Sequence, residues 1–197
     1  MIRTLQFFSI VGGLLVFLYF VYDALHIRIN HSISMPLGIY TLNPGAFPTH
    51  QGQLVYFCPN AIAKAYLETY HPEADTRGGQ DCPDGSAAMV KTAIALPGDS
   101  VRFDDNGVSV NAARYLIGSK PLRRIGDSLA DAHPLPYLKR GVYRIRPGMV
   151  WAYTPEWVSF DSRYVGPLAV MGTATPIFIY QQARDSEPPA AVMAMQR

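Results

Sequence analysis

Between residues 88 and 96 the chain reads Ala-Met-Val-Lys-Thr-Ala-Ile-Ala-Leu, a mostly apolar run that is interrupted by the charged Lys91. A short apolar run of this kind, followed by the turn Pro97-Gly98-Asp99, predicts a strand that is buried on both faces. Lysine is almost never fully buried unless it is paired. Desolvation lowers the pKa of such a lysine, and a neutral amine can take a proton from a serine hydroxyl. The alternative is an edge-strand lysine whose amine reaches water.

The chain on both sides of this strand reads as short strands separated by turn signals. We predict strands over residues 38–43, 53–58, 89–96, 100–103, 108–110, 141–146 and 148–153, with a final strand pair over 168–172 and 174–180. One soluble helix is predicted over residues 60–70, with Asn60 as its cap and Pro72 beyond its end. The fold class is therefore mainly β. It has a small helical insertion at residues 59–87, an irregular excursion at 111–140 and a flexible tail at 181–197.

The N-terminal segment from Leu5 to Tyr22 carries no ionisable side chain except two tyrosines. A helix of that length spans roughly 27 Å, enough for a hydrocarbon core. The alternative, a cleaved signal peptide, needs a small-residue cleavage site that the chain does not offer here. We predict a retained transmembrane anchor over residues 5–22, with residues 1–4 in the cytoplasm because Arg3 precedes the helix. Residues 23–180 would then form a periplasmic domain of a single-pass protein of the cytoplasmic (inner) membrane.

The two cysteines, Cys58 and Cys82, are consistent with that compartment. They do not form a Cys-x-x-Cys pair, and no matching histidine cluster suggests zinc. A structural disulfide is the main prediction, because an oxidising compartment permits one. Two free buried thiols are the alternative.

Composition and motifs exclude several other functions. Lysine and arginine total 17 against 15 acidic residues, so the formal charge of +2 leaves no basic surface for nucleic acid. The sequence contains no Gly-x-Ser-x-Gly, no His-Glu-x-x-His, no phosphate-binding loop and no Gly-x-Gly-x-x-Gly. We therefore expect no metal and no cofactor.

Two polar clusters lie on either side of the Lys91 strand in the sequence. Residues 32–38 read Ser-Ile-Ser-Met-Pro-Leu-Gly, and residues 159–167 read Ser-Phe-Asp-Ser-Arg-Tyr-Val-Gly-Pro. In this order, with Lys91 and its Pro-Gly-Asp turn between them, they resemble the type I signal peptidase family of Ser-Lys serine proteases. The short Ser-Met-Pro-Leu-Gly, Phe-Cys-Pro at 57–59 and Asp-Ser-Arg-Tyr-x-Gly-Pro resemble its TraF branch, whose members mature the pilin of conjugative transfer systems. The resemblance extends to about residue 180 and implies a signal-peptidase-like antiparallel β body.

The resemblance also implies roles for individual residues. Ser34 matches the nucleophile and Lys91 the general base. Ser159 matches the serine that hydrogen-bonds and orients the lysine. Asp161 and Arg163 match a supporting pair whose aspartate is implicated in activity in the TraF branch; the alternative is a plain ion pair that holds two strands together.

The oxyanion hole is the remaining role that the resemblance assigns. Ser32 lies where general signal peptidases place a side-chain donor, and the Ser34 backbone N–H would be the second donor. The alternative for Ser32 is an ordinary solvated hydroxyl in a loop.

Two departures distinguish the chain from a general signal peptidase. The Ser-Met-Pro run is one residue shorter, and residues 154–158 read Thr-Pro-Glu-Trp-Val in place of a Gly-Asp-Asn run. We therefore predict a membrane-anchored Ser-Lys endopeptidase that processes a membrane-tethered propilin-like precursor, with or without cyclisation of the product. Its partners would be that precursor, the lipid bilayer through residues 5–22 and other conjugation components, but no nucleic acid. The alternatives are a general type I signal peptidase and a non-catalytic membrane component of the transfer apparatus.

Overall fold

The computed structural model describes residues 2–32, 34–70, 81–122, 124–125, 133–136, 138–156 and 159–182. Its elements, in chain order, are α1 Ile2–Ala24, β1 Ile27–Asn30, β2 Leu37–Pro44, β3 Leu54–Phe57, α2 Ala61–Tyr70, β4 Met89–Ala95, β5 Ser100–Asp104, β6 Gly107–Val110, β7 Arg124–Ile125, β8 His133–Pro134, β9 Gly141–Arg144, β10 Met149–Tyr153, α3 Ser162–Val165, β11 Leu168–Ala169 and β12 Gly172–Gln181. The prediction of a mainly β body with few helices is confirmed.

Within the described ranges, the body consists of three antiparallel sheets. The main sheet has the strand order β1-β2-β12-β3-β4-β10-β11, and a smaller sheet has the order β6-β5-β9. A third pairing joins β7 and β8 inside the excursion that the sequence predicted to be irregular. The strand that carries Lys91 is an interior strand, because β4 pairs with β3 on one side and with β10 on the other. The edge-strand alternative for Lys91 is therefore wrong.

The hydrophobic core joins the two larger sheets. Val101, Phe103 and Val108 from the smaller sheet pack against Trp151 of β10, and all four side chains are almost fully buried. The ring centroids of Phe103 and Trp151 lie 6.1 Å apart. Burying side chains of this size contributes roughly 1.5–3 kcal/mol each, so this cluster holds the smaller sheet on the face of the main one.

The strand β4 has one buried and one half-buried face, rather than the two buried faces that the sequence predicted. Lys91, Ala93 and Ala95 alternate on the buried face, while the residues between them are partly exposed. The sequence therefore placed Lys91 correctly in a buried strand.

The predicted N-terminal helix is present as α1 and carries exposed large apolar side chains, among them Phe7, Phe8, Ile10, Leu14, Leu15, Phe17 and Phe20. Within the part of the chain that the structure describes, no helix is both long enough and apolar enough to cross a membrane. The helix is therefore observed, whereas a transmembrane span over residues 5–22 is not confirmed.

The helical insertion between β3 and β4 is closed by the predicted disulfide. The Cα atoms of Cys58 and Cys82 lie 5.7 Å apart, and the two sulfurs are bonded. Asp81, the residue before Cys82, accepts a 2.5 Å hydrogen bond from Nε of Arg28 on β1. The prediction of a disulfide is confirmed, and the Arg28–Asp81 ion pair connects the disulfide segment to β1, the strand before the Ser34 turn.

The predicted pairing of the last two strands is also wrong. The strand β11 pairs with β10, whereas β12 pairs with β2 along most of its length and with β3 at its start. The two segments therefore do not pair with each other, and β12 lies between β2 and β3 in the main sheet. The predicted tail at 181–197 lies, apart from residues 181 and 182, outside the described residues. The division into residues 1–4, 5–22, 23–180 and 181–197 stays a prediction.

Candidate active site

The candidate nucleophile, Ser34, lies in the turn between β1 and β2. Its side chain is only 5% exposed, and the turn is closed by a 3.3 Å hydrogen bond from the Met35 N–H to the Ser32 carbonyl. Pro36 follows at the start of the extended backbone that leads into β2. The Tyr40 hydroxyl donates to the Pro36 carbonyl at 2.6 Å, so the second strand also holds the end of the turn.

The Lys91 amine reaches Ser34 across the fold. The Nζ atom lies 2.8 Å from Ser34 Oγ, although the two residues are 57 positions apart in the chain. Lys91 is 4% exposed. Burial lowers its pKa from 10.5 to about 8; Asp161 acts in the opposite direction and raises this pKa, while Arg163 lowers it. The site therefore places a serine hydroxyl beside an amine that is half deprotonated at about pH 8.

The Ser32 hydroxyl also lies next to the nucleophile. The oxygens Oγ of Ser32 and Ser34 are 3.0 Å apart, and either atom can be the donor. The oxyanion would form on the oxygen of the attacked carbonyl, two bonds from Ser34 Oγ, so a donor 3.0 Å from Oγ lies near that position. Ser32 therefore lies beside the nucleophile with an exposed side chain, and its role as an oxyanion donor stays a prediction.

Asn30, at the end of β1, holds the same turn through four hydrogen bonds. Its two Nδ2 N–H groups are shared among the carbonyls of Ser32, Met35 and Pro36, which lie 3.0, 3.2 and 3.0 Å from Nδ2. Its Oδ1 accepts the Ser32 N–H at 3.1 Å. This residue was not predicted from the sequence. An asparagine whose side chain binds the N–H two residues onward is a known turn former, so the Asn30-x-Ser32 spacing was the available signal.

Asp161 and Arg163 form a fully buried ion pair behind the serine and the lysine. Asp161 caps α3, where its Oδ1 accepts the Arg163 N–H at 3.0 Å and Nε of the same residue at 2.9 Å. Its Oδ2 accepts a terminal guanidinium nitrogen at 2.9 Å and the Thr154 N–H at 3.3 Å. Burial disfavours the charged guanidinium, but the carboxylate outweighs it and holds the pKa of Arg163 above its usual value.

The remaining guanidinium N–H groups connect several loops. Arg163 donates to the carbonyls of Gly118, Glu156 and Ser159 at 3.1, 3.2 and 3.1 Å. Its guanidinium carbon also lies 5.1 Å from the centre of the Tyr153 ring, within cation–π range. Arg163 therefore holds the backbone around the site. It also joins the excursion, through Gly118, to the end of β10.

Ser159, the residue predicted to orient the lysine, lies close to this pair. Its side chain is 3% exposed, and its hydroxyl finds no hydrogen-bond partner among the described residues. Its carbonyl is bound by Arg163. The structure thus buries Ser159 beside the site, while its predicted hydrogen bond to Lys91 is not among those observed; its role stays a prediction.

A second residue that sequence reasoning missed is Thr154, which follows β10. Its hydroxyl donates to the Ser34 carbonyl at 2.8 Å, and both residues are buried. No sequence signal points to a side chain whose partner is a backbone carbonyl 120 residues away. The fold thus brings the predicted residues Ser32, Ser34, Lys91 and Asp161 into one region, and their catalytic roles stay predictions.

Ser34 and Lys91 meet in a buried site next to a polar turn, and the comparison with known families identifies the class of protein. Residues 1–178 match the family model of the signal peptidases, peptidase S26. The chain belongs to this family, which implies a serine peptidase. The prediction from the three sequence motifs is confirmed at this level.

Several individual relatives of the chain are conjugation proteins. The conjugal transfer protein TraF of Agrobacterium fabrum is 30% identical over 159 residues, which cover 78% of this chain and 82% of the relative. The plasmid transfer protein TraF of Escherichia coli is 28% identical over 170 residues, which cover 84% and 89%. Among solved structures, a signal peptidase I from Enterococcus faecalis matches 66% of this chain and all of its own, with 17% identity and a TM-score of 0.35. The predicted resemblance to the TraF branch is confirmed.

Proposed function

We propose that this chain is a membrane-anchored serine endopeptidase that uses Ser34 and Lys91 to process a propilin-like precursor for conjugative transfer. The observation that carries the proposal is the 2.8 Å contact between Lys91 Nζ and Ser34 Oγ in a buried site. The position of the chain in the signal peptidase family and its similarity to conjugal transfer proteins support the same activity.

The first chemical step is attack on the scissile carbonyl. The neutral Lys91 amine takes the hydroxyl proton as Ser34 Oγ forms a bond to the carbonyl carbon. With a pKa of about 8, roughly a tenth of the amine is neutral at pH 7 and half at pH 8. The ammonium then returns the proton to the leaving amine, which gives an acyl-enzyme ester on Ser34 and frees the other half of the substrate.

The developing oxyanion needs preorganised donors. In this proposal the Ser34 backbone N–H and the Ser32 hydroxyl supply them, and the Asn30 hydrogen bonds keep the turn in position before the reaction. Loss of one such donor costs about 10²–10³-fold in turnover in a related kind of site.

Release of the acyl group takes one of two routes. Water, deprotonated by Lys91, gives a carboxylate product and regenerates Ser34. Alternatively the amino terminus of the substrate attacks the same ester, which gives a cyclic product lighter than its hydrolysed form by one water.

Membrane attachment is part of the proposal and brings the site close to a tethered substrate. In this proposal α1 lies in the cytoplasmic membrane and the β body in the periplasm. The exposed apolar side chains of α1 and the Cys58–Cys82 disulfide support this placement. Ser34 lies ten residues beyond Ala24, the last residue of α1, so an extended chain holds it within about 36 Å of the helix end.

Co-expression with candidate pilin precursors, read by intact mass, tests the activity. We expect a shortened pilin with the full chain and none with Ser34→Ala. Loss of one further water would identify cyclisation. Cleavage of many unrelated secretory precursors would indicate a general signal peptidase instead, and no cleavage of any precursor would indicate a non-catalytic component.

Fractionation tests the placement. We expect the full chain to stay with the cytoplasmic membrane after carbonate extraction, and the β body to be digested by protease added to spheroplasts. Recovery of the intact chain in the soluble fraction would contradict the anchor.

A further inference from the structure

The contact between Thr154 and Ser34 assigns a role to a residue that the proposed dyad does not include. The Thr154 hydroxyl donates to the Ser34 carbonyl at 2.8 Å. Thr154 is 2% exposed and Ser34 5% exposed. A buried carbonyl without a partner is costly, so this hydrogen bond selects the orientation of the peptide group that follows Ser34.

The orientation of that peptide group sets the direction of the nucleophile. Ser34 lies in a turn, where no strand ladder fixes its backbone. A hydrogen bond to its carbonyl restricts its ψ angle and so limits the positions that its side chain can take relative to Lys91 Nζ. The Thr154 hydroxyl therefore acts on the reacting oxygen through the backbone and does not touch it.

Thr154 is itself held rigidly. It precedes Pro155, which restricts its backbone to extended conformations, and its β-branched side chain has few χ1 rotamers. Its N–H donates to Asp161 Oδ2 at 3.3 Å. One residue thus connects the buried carboxylate to the backbone of the nucleophile.

The same contact gives Asp161 a route to the reaction. Within the part of the chain that the structure describes, the hydrogen bonds of its carboxylate go to Arg163 and to the Thr154 N–H, and none goes to Ser34 or Lys91. The carboxylate therefore reaches the nucleophile by way of Thr154, besides its electrostatic effect on Lys91.

We infer that Thr154 is a positioning residue that orients Ser34 for attack, and that Asp161 holds Thr154 in place for this task. The inference rests on the proposed Ser34–Lys91 peptidase activity. It adds a residue outside the dyad and gives Asp161, which does not contact the reacting atoms, a way to affect turnover.

Three full-length variants test it, with the pilin precursor that the wild-type chain cleaves as the probe. Thr154→Val keeps the shape and removes the donor, Thr154→Ser keeps the donor, and Ser119→Ala is the matched control. Ser119 is also a buried hydroxyl, but it joins Val108 to Leu116 beside the smaller sheet. We expect Thr154→Val to lower kcat by about 10²-fold with an unchanged KM, because a displacement of about 1 Å has an effect of that size.

The other readouts separate positioning from stability. Thr154→Ser should recover most of kcat, and Ser119→Ala should keep the wild-type kcat even though it loses a buried hydroxyl. The pH midpoint of kcat should be the same in all variants, because Thr154 does not contact Lys91. If Thr154→Val fails to fold by circular dichroism, Thr154→Ala is measured against the same control and should also lower kcat.

The outcomes distinguish this inference from the activity on which it rests. A wild-type chain that cleaves no precursor overturns both. The positioning role alone is overturned if the wild type is active and Thr154→Val, or Thr154→Ala in its place, has the same kcat as Ser119→Ala. A shift of the pH midpoint in the Thr154 variants also overturns it, since the effect would then act on the base.

Discussion

The Nε atom of Arg163 lies 2.9 Å from Oδ1 of Asp161, and neither side chain has any solvent exposure. The charge of each residue is compensated only inside the protein. Removal of one partner leaves a buried, unpaired charge, which typically costs 3–5 kcal/mol. The pair is therefore sensitive to substitutions that keep the shape of the side chain and remove its charge.

Asp161→Asn is the first such substitution. We expect the free energy of unfolding to fall by about 3–5 kcal/mol in urea titrations. The pH midpoint of kcat/KM should also move to lower pH, because the carboxylate raises the pKa of Lys91. Asp99→Asn is the matched control, since Asp99 binds Leu96, Gln51 and Asn111 instead. An unchanged midpoint in folded Asp161→Asn would contradict the electrostatic part of this prediction.

Lys91→Arg separates a general base from a simple cation. Arginine stays protonated in proteins, so it cannot accept the Ser34 proton. We expect a loss of turnover as complete as that of Ser34→Ala, measured by intact mass on the co-expressed precursor. Near-ultraviolet circular dichroism controls for folding. Activity in a folded Lys91→Arg chain would end the proposal that a neutral amine is the base.

The free energy of unfolding should also depend on the protonation of the buried Lys91 amine. The pKa of Lys91 is about 8 in the folded chain and 10.5 as its ordinary value. Between these values the unfolded state binds more protons, so the free energy of unfolding rises with pH. The cost of the buried charge is fully present below pH 8 and is lost as the pH approaches 10.5.

Lys91→Met lacks this titration and gives the test. We expect its stability advantage over wild type to be greatest below pH 8. It should shrink by about 3 kcal/mol by pH 10.5, because each tenfold change in proton affinity corresponds to about 1.4 kcal/mol. Urea unfolding at pH 7, 8.5 and 10 measures the difference. Lys120→Met, at an exposed lysine, controls for the substitution itself. A difference that is constant over this range would show that Lys91 is not desolvated in the folded chain.

Asn30→Ala tests the turn that carries the nucleophile. The variant loses four hydrogen bonds to the turn. We expect kcat to fall by at least tenfold and by up to about 10²-fold, which is the effect that a small displacement of a reacting group produces. Asn43→Ala is the matched control, because Nδ2 of Asn43 binds Thr173 and Thr175 on β12. Equal kcat values for the two variants would show that the turn keeps its geometry without Asn30.

The disulfide offers a prediction on stability alone. The bond between Cys58 and Cys82 closes a loop with a sequence separation of 24. The chain-entropy model gives roughly 3–4 kcal/mol for a loop of this size. We expect Cys58→Ala/Cys82→Ala to lose up to that amount in urea titrations. Thiol labelling of the oxidised wild type should detect no free cysteine, and two labelled thiols without reductant would contradict the pairing in the cell.

The sequence was most informative where short-range signals determine structure. The Asp105-Asn106 turn before Gly107 joins β5 to β6, and the apolar run with its Pro97-Gly98-Asp99 turn corresponds to β4. The place of β12 between β2 and β3 was not predicted, because partner choice between distant strands leaves no local pattern. Family motifs indicated Ser34 and Lys91, because both residues lie in short recognisable runs of sequence. The contact of Thr154 with a backbone carbonyl has no such sequence pattern and was not predicted.

The position of β12 has a consequence for biosynthesis. The strand order β1-β2-β12-β3-β4 places the C-terminal strand between the strand pair that flanks Ser34 and the strand that carries Lys91. A nascent chain on the ribosome can form the local β5–β6 hairpin early, but the main sheet stays in two parts until residues 172–181 have left the exit tunnel. We therefore expect the serine and the lysine to meet only after β12 has left the exit tunnel, so that a nascent chain without this strand does not yet bring the two side chains together.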